Sequence, residues 1–270
     1  MIYRAKKSLG QNFLINPKVA ERISLDASIS KEDVVLEIGP GTGHLTKYLL
    51  IQAKKVIAVE KDDNLIKNLA EKFKKEVEEN KLILIKEDIL DFNTEQNYKI
   101  VANIPYNITG AILKKFLSEK NKPESMTLMV QKEVAERIIA RNGKESLLSI
   151  SVKAYGEPKI LFKVSRGNFY PSPNVDSAVI TIKNISRKIF IENKIDEEKF
   201  WEIVHAGFAH KRKKLSSNLK TLQKNGSLAS VYQGEPLVNL VKTLGNKRAE
   251  ELTLSDWINL VKSVDINKKE

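Results

Sequence analysis

A short apolar run that ends in glycines narrows the folds open to this 270-residue chain. Val34-Val35-Leu36-Glu37-Ile38 leads directly into Gly39-Pro40-Gly41-Thr42-Gly43. A continuous apolar run of this length, bounded by turn residues, reads as a buried strand. The glycines behind it let a ligand approach the backbone closely, and a helical pattern follows. Spacing excludes two common versions of such a turn. In G-x-G-x-x-G the third glycine would fall on His44, so the dinucleotide fingerprint is missing. No Gly-Lys-Ser/Thr follows, so the turn is not a phosphate-binding P-loop. His44 reads as a structural residue at a helix start.

The same alternation continues along the chain. Strand-like runs fall at Val34–Ile38, Lys55–Val59, Leu82–Lys86, Lys99–Ala102, Met126–Val130, Ile160–Val164 and Ala178–Ile182. Helical stretches separate most of them, among them Asn64–Glu78 and Ile108–Glu119. Strands alternating with helices predict an α/β domain with a parallel sheet, and seven strands fit a complete doubly wound one. The last two strands have no helix-length segment between them, which predicts an antiparallel hairpin there. After about residue 188 the period changes to that of helices: Glu197–Phe208, Lys211–Leu222, Pro236–Leu244 and Thr253–Val264. The expected organisation is therefore an α/β domain over residues 1–188 and a small α-helical domain over residues 189–270.

Composition removes several function classes. There is no cysteine, which excludes disulfides, thiol nucleophiles and cysteine-ligated metals. His44, His205 and His210 match no zinc spacing, so no metal is expected, although a site built of carboxylates alone stays open. No run approaches the roughly 18 apolar residues that a membrane span needs. The start, Met1 to Lys7, carries basic residues with no apolar stretch behind them, so no secretory signal and a cytoplasmic location are expected. The formal charge is +12. Such a field attracts polyanions, which makes nucleic acid the first partner to consider, with a lysine-rich composition as the plainer explanation.

Two acids follow the glycine turn at the right places. Glu60 closes the second strand, about 20 residues on, where a carboxylate can accept from both ribose hydroxyls of a nucleoside. Asp88 lies at the end of the third strand, where it can accept from an adenine amine. Each alone is an ordinary solvated loop acid; at the carboxyl ends of successive strands they suggest one nucleoside site. The fourth strand ends in Asn103-Ile104-Pro105-Tyr106.

The Glu37–Gly43 stretch resembles the first motif of class I, Rossmann-like methyltransferases, in which the loop cradles the methionine part of S-adenosylmethionine. Asn103–Tyr106 resembles the Asn-Pro-Pro-Tyr motif of amino-methyltransferases, and the chemistry explains its residue types. The lone pair of an aromatic amine is delocalised into the ring. The Asn103 side-chain oxygen and the Ile104 carbonyl can accept from the amine hydrogens and localise it. Pro105 stiffens the backbone, and Tyr106 offers a stacking face for an extruded base. Three further stretches narrow the family: Lys7-Ser8-Leu9-Gly10-Gln11-Asn12-Phe13-Leu14, Phe169-Tyr170-Pro171-Ser172-Pro173-Asn174-Val175-Asp176-Ser177, and Ala206-Gly207-Phe208-Ala209-His210-Lys211-Arg212-Lys213-Lys214-Leu215. Together they resemble the ribosomal RNA adenine dimethyltransferase family, most closely its small-subunit branch, the bacterial kasugamycin-sensitivity methyltransferases. The resemblance spans about residues 4–220.

That resemblance implies specific roles. Asn12, Leu14, Gly39, Gly41, Glu60, Asp88 and Asn103 would hold S-adenosylmethionine, and Phe169 would face Tyr106 across the target base. The reaction would be dimethylation of two adjacent adenosines in a hairpin loop near the 3′ end of small-subunit rRNA. The partner would be an assembling small subunit, and the enzyme is expected to be a monomer. Lys211, Arg212, Lys213 and Lys214 would contact phosphate, with a solvated helix face as the plain alternative. Residues 190–270 hold 14 Lys/Arg against 11 Asp/Glu, so this cluster is local. Two other readings share parts of the pattern: a large-subunit rRNA methyltransferase of the macrolide-resistance type, and a ribosome-assembly factor without catalysis. The Phe208–Lys214 stretch favours the small-subunit branch. The intact Asn103–Tyr106 set argues against pure binding.

Overall fold

The computed structural model describes residues 10–220 and 246–265. The expected helix over Pro236–Leu244 and the Lys7–Leu9 part of the amino-terminal motif lie outside the described residues. The chain divides into two compact units. One holds the residues up to Glu136 together with Gly156–Ile185; the other holds Arg137–Tyr155 and the residues from Ser186 on. A single cut near residue 188 does not describe this division, because residues 137–155 group with the carboxyl-terminal helices.

The first unit is built on β2 (Val34–Ile38), β3 (Lys55–Glu60), β4 (Leu82–Lys86), β5 (Lys99–Asn103), β6 (Met126–Gln131), β7 (Glu157–Val164) and β9 (Ser177–Lys183). They form one seven-stranded sheet in the order β4-β3-β2-β5-β6-β9-β7. The five strands from β4 to β6 are parallel, and β9 runs antiparallel to both β6 and β7. The chain leaves β2 towards one edge and returns at β5 on its other side. That reversal opens a crevice beyond the carboxyl ends of β2 and β5, which is where open α/β sheets bind ligands.

Local chemistry sets the helix starts. Asn16 caps α1 (Pro17–Asp26) by accepting from the Lys18 N–H at 3.0 Å, with Pro17 at the first helical position. Asp62 caps α3 (Asp63–Lys72) in the same way through Asn64. The single helix expected over Asn64–Glu78 breaks at Phe73, and α4 (Lys74–Glu78) follows. Phe73 is buried, and its ring lies under the glycine turn: a Cβ at Gly43 would come 2.6 Å from it. Packing of that ring overrides helix continuity. α2 (His44–Gln52) and α5 (Thr109–Ser118) follow the ends of β2 and β5.

The sequence pattern gave no sign of a two-stranded ribbon in this unit. β1 (Phe13–Leu14) pairs antiparallel with β8 (Phe169–Tyr170), with Leu14 opposite Phe169 and Phe13 opposite Tyr170. The ribbon ties the amino-terminal segment to the loop between β7 and β9. Residues directly opposite share a face. Accordingly Leu14 and Phe169 enter the same apolar cluster, with Ala20, Ile23, Val164 and Val179.

The second unit contains α7 (Leu147–Lys153), α8 (Lys188–Asn193), α9 (Glu197–Phe208), α10 (Leu215–Leu219) and α11 (Leu254–Asp265), while α6 (Lys132–Ile138) spans the point of division. The helix expected from Lys211 begins only at Leu215, and 211–214 form the turn before it. An aromatic cluster of Tyr155, Phe190, Phe200 and Trp201 fills this unit's core. The Tyr155 hydroxyl donates to Glu197 at 2.6 Å and accepts from the Trp201 indole N–H at 2.9 Å.

Gly207 shows how closely α9 and α11 pack. A Cβ there would lie 2.3 Å from the Trp257 ring. Helix propensity alone favours Gly207→Ala by roughly 0.5–1 kcal/mol. Overpacking of a tight core typically costs about 1–3 kcal/mol and should win here. Urea denaturation is therefore expected to show a lower midpoint for Gly207→Ala; a higher midpoint would mean that the two helices separate freely.

Candidate active site

The crevice beyond β2 and β5 holds a cavity of about 220 Å³. Its walls come from the glycine turn, the ends of β3, β4 and β5, and the segment that precedes and includes β1. Asn12, Leu14, Gly39, Gly41, Glu60, Asp88, Asn103, Ile104, Pro105 and Tyr106 all line it. Residues spread over almost 100 positions of sequence are thus brought to one space.

Glu60 organises the floor. It is 7% exposed. One carboxylate oxygen accepts from the Gly41 N–H at 3.3 Å, and the other accepts from the Asp62 N–H at 3.0 Å. The Gly39 N–H donates to the Val59 carbonyl at 2.9 Å. These bonds fasten the glycine turn to the end of β3. Burial raises the Glu60 pKa, while the Asp62 and Gly41 N–H groups oppose that rise.

Gly41 adopts φ +58°, and a Cβ added there would lie 2.9 Å from the Phe13 ring. Only glycine combines that backbone with that approach. Phe13 therefore closes over the turn as an apolar plug.

The Asn103 side chain is fixed by its amide N–H, which donates to the Asn12 carbonyl at 3.1 Å. That bond leaves the side-chain oxygen as the acceptor end of the group. Ile104 is 2% exposed, and its neighbour Pro105 lies beside Gly39, whose added Cβ would stand 4.0 Å from the proline ring. The Tyr106 hydroxyl pairs with the Ser177 hydroxyl at 2.6 Å. Ser177 ends the Phe169–Ser177 motif and is fully buried. It holds the tyrosine, a role that sequence reasoning missed although the residue was in view. Burial raises the Tyr106 pKa.

Asp88 carries a partner that the sequence did not suggest. Lys61 donates to it at 2.7 Å, and the Leu90 N–H donates to its other oxygen at 3.0 Å. The Lys61 bond holds the Asp88 carboxyl below its ordinary range. His44 starts α2 and pairs with the Thr42 hydroxyl at 2.8 Å. Burial, helped by Lys72, lowers its pKa. A neutral imidazole at a helix amino terminus fits a structural role.

Phe169 departs from expectation. It is 3% exposed, packs in the apolar cluster beside Leu14, and does not line the cavity, so it does not face Tyr106 across an open space. The register of the short ribbon turns its side chain inward. The basic run Lys211, Arg212, Lys213 and Lys214 is exposed throughout. Lys214 donates to the Asn246 side chain at 2.6 Å. Among the described residues no group of three or more His, Asp or Glu could hold a metal ion, and no helix is long and apolar enough to cross a membrane.

Sheet order, glycine turn, the acids after β3 and β4, and the Asn-Ile-Pro-Tyr end of β5 define an S-adenosylmethionine-dependent class I methyltransferase. The residues fit that cofactor: Glu37 Oε2 is buried without a hydrogen-bond partner, and Gly39 leaves open space on the cavity side, where an added Cβ would meet only Pro105, at 4.0 Å. The ribosomal RNA adenine dimethylase model matches residues 2–260, and the chain belongs to that family. It is 41% identical to a ribosomal RNA small subunit methyltransferase A of Dehalococcoides mccartyi, covering 95% of this chain and 87% of the relative. The corresponding protein of Fusobacterium nucleatum is 40% identical, with 97% and 98% covered. Among solved structures, a dimethyladenosine transferase from Plasmodium falciparum superposes with TM-score 0.78 at 29% identity, covering 95% and 98%. The 23S rRNA methyltransferase ErmE superposes with TM-score 0.71 at 25% identity, covering 94% and 100%.

The burial of Phe169 yields a measurable consequence. Phe169→Ala should cost about 3–5 kcal/mol of stability through the cavity it leaves. Denaturant unfolding checks this; a stability unchanged within error, with turnover lost, would return Phe169 to a base-stacking role.

Proposed function

We propose that this enzyme dimethylates the N6 amines of two adjacent adenosines in a hairpin loop near the 3′ end of small-subunit rRNA. The substrate is an assembling small subunit, and the enzyme works as a monomer in the cytoplasm. The single observation that carries the adenine chemistry is the Asn103 amide, anchored on Asn12 with its oxygen end available at the cavity. Relatives of both ribosomal subunits share the fold. The small-subunit reading rests on roughly 40% identity to proteins named for that subunit along nearly the whole chain.

Bound S-adenosylmethionine supplies a methyl group already activated on a sulfonium, so no strong base is required of the protein. The chain's residues bind and orient. Glu60 and Asp88 hold the nucleoside part, and Asn12, Leu14, Gly39, Gly41 and Asn103 shape the rest of the site. Tyr106, fixed by Ser177, stacks on the extruded base. The Asn103 oxygen and the Ile104 carbonyl accept from the target amine. Positive charge grows on that nitrogen in the transition state, and two fixed dipoles meet it without reorganising. The spare amine proton then leaves to solvent. Lys211, Arg212, Lys213 and Lys214 contact phosphates and contribute affinity without sequence selection.

Incubation of the protein with labelled cofactor and subunits from an unmethylated strain tests the substrate. Label should map to two neighbouring adenines of small-subunit rRNA; label confined to large-subunit RNA would refute the assignment.

The role of Asn103 is tested by single turnover at saturating cofactor and subunit, which removes binding defects from the rate. Removing one preorganised dipole typically costs about 100- to 1000-fold in rate, and Asn103→Ala should fall in that range. Subunit binding should persist, because phosphate contacts supply most of it. A rate within about threefold of wild type, far short of that typical loss, would favour an assembly factor without catalysis.

A further inference from the structure

Glu37 lines the cofactor cavity, yet the mechanism above gives it no task. It is 1% exposed, and its Oε2 has no hydrogen-bond partner. A buried charge without a partner is costly, so a group of this kind is kept neutral unless a cation arrives.

Its surroundings hold charges of both signs, and among the described residues none neutralises it by a direct ion pair. From α2 come Thr46, which lies beside the carboxyl and favours its ionised form, and His44, whose pKa burial lowers. From α3 comes Lys72, whose ammonium donates to the Thr42 carbonyl at 2.8 Å and is itself pushed down by burial and by Lys47. From β3 comes Glu60, a like charge; β5 contributes only the Asn103 amide. Glu87 and Asp88 also line the cavity. Burial raises the Glu37 carboxyl to about 8, with Glu60 adding to the rise while Thr46 and Lys72 oppose it.

We propose that Glu37 makes the cavity discriminate by cofactor charge: its carboxyl is ionised when the cationic sulfonium donor is bound and protonated when the uncharged thioether product is bound. The inference rests on reading this cavity as the S-adenosylmethionine site. Donor and S-adenosylhomocysteine differ by one positive charge and one methyl group. At a carboxyl buried as deeply as that of Glu37, the added charge favours the ionised form strongly, whereas the thioether does not.

In the ligand-free cavity Glu37 holds its proton below about pH 8. Donor binding expels that proton to solvent, so donor affinity rises with pH and levels off above this value. Product binding leaves the proton in place, so Glu37 adds no pH dependence to product affinity. Preference for donor over product therefore grows by up to about tenfold per pH unit below the midpoint. After each transfer the sulfonium charge is gone, and Glu37 recovers a proton from solvent.

Calorimetry on the full chain without RNA tests this. Each ligand is titrated over about pH 6 to 9, in two buffers of different ionisation heat. Near neutral pH, donor binding should release about one proton more than product binding. The α-amino group is common to both ligands and drops out of the difference between wild type and Glu37→Gln. That variant should abolish the extra release and flatten the donor-to-product ratio. Equal release for both ligands, or an unchanged difference in the variant, overturns the proposal. If Glu37→Gln does not fold, carbon-13 NMR of the wild-type Glu37 carboxyl decides: distinct ionised and protonated shifts with the two ligands support it, and identical shifts overturn it. Failure of the donor to bind wild-type protein at any pH would instead remove the cofactor reading itself.

Discussion

The glycine turn is held in place by one buried carboxylate. Glu60 accepts from the Gly41 N–H on one oxygen and from the Asp62 N–H on the other, and so joins the turn after β2 to the cap of α3. Both donors are backbone groups that would otherwise be orphaned in a buried place. The positive φ at Gly41, the approach of Phe13 and the position of Asn12 all follow from where that turn sits. Asn12 in turn orients Asn103. One carboxylate is thus connected, through the turn and the segment packed on it, to the side chain that ends β5 at the cavity.

Periodicity made the sheet legible. All seven strands lie where apolar runs placed them, to within about three residues: the central strands are buried nearly throughout, and the edge strands β4 and β7 are partly covered. The antiparallel pairing of β7 and β9 was legible too, since no crossover helix fits between them. The β1–β8 ribbon was not. Its strands are two residues long, too short for any period, and they pair across more than 150 positions. The short helix α7 escaped for a similar reason: its seven residues carry little amphipathic pattern, and its capping box of Ser146 and Ser149 uses serine where glutamate would be the usual signal.

Among candidate site residues, the legible ones were those at strand ends, where topology alone fixes direction. Glu60, Asp88 and Asn103 are such residues, and all three line one cavity. Side-chain partnerships lay beyond the sequence. Lys61 on Asp88 and Ser177 on Tyr106 depend on rotamers and on long-range packing. Phe169 shows the opposite limit. A motif can fix that an aromatic is present, but a one-residue change of strand register decides which face it occupies. Here the register sends it to the core.

Charge is sorted within this basic chain in a way that net charge hides. The cavity gathers Glu37, Glu60, Glu87 and Asp88, with Lys61 engaged on one of them. The exposed run of cations falls instead at Lys211–Lys214, in the other unit. A cationic cofactor and a polyanionic substrate make opposite electrostatic demands. A uniformly basic surface would attract RNA and repel the donor. Burial eases the conflict for Glu37 and Glu60: water and salt screen the surface cations over about 10 Å, whereas these two carboxyls act at short range in a medium of low polarity. On the proposed reading, long-range attraction gathers the RNA while short-range attraction selects the cofactor. Each acts on its own length scale, so one chain of net charge +12 can serve both.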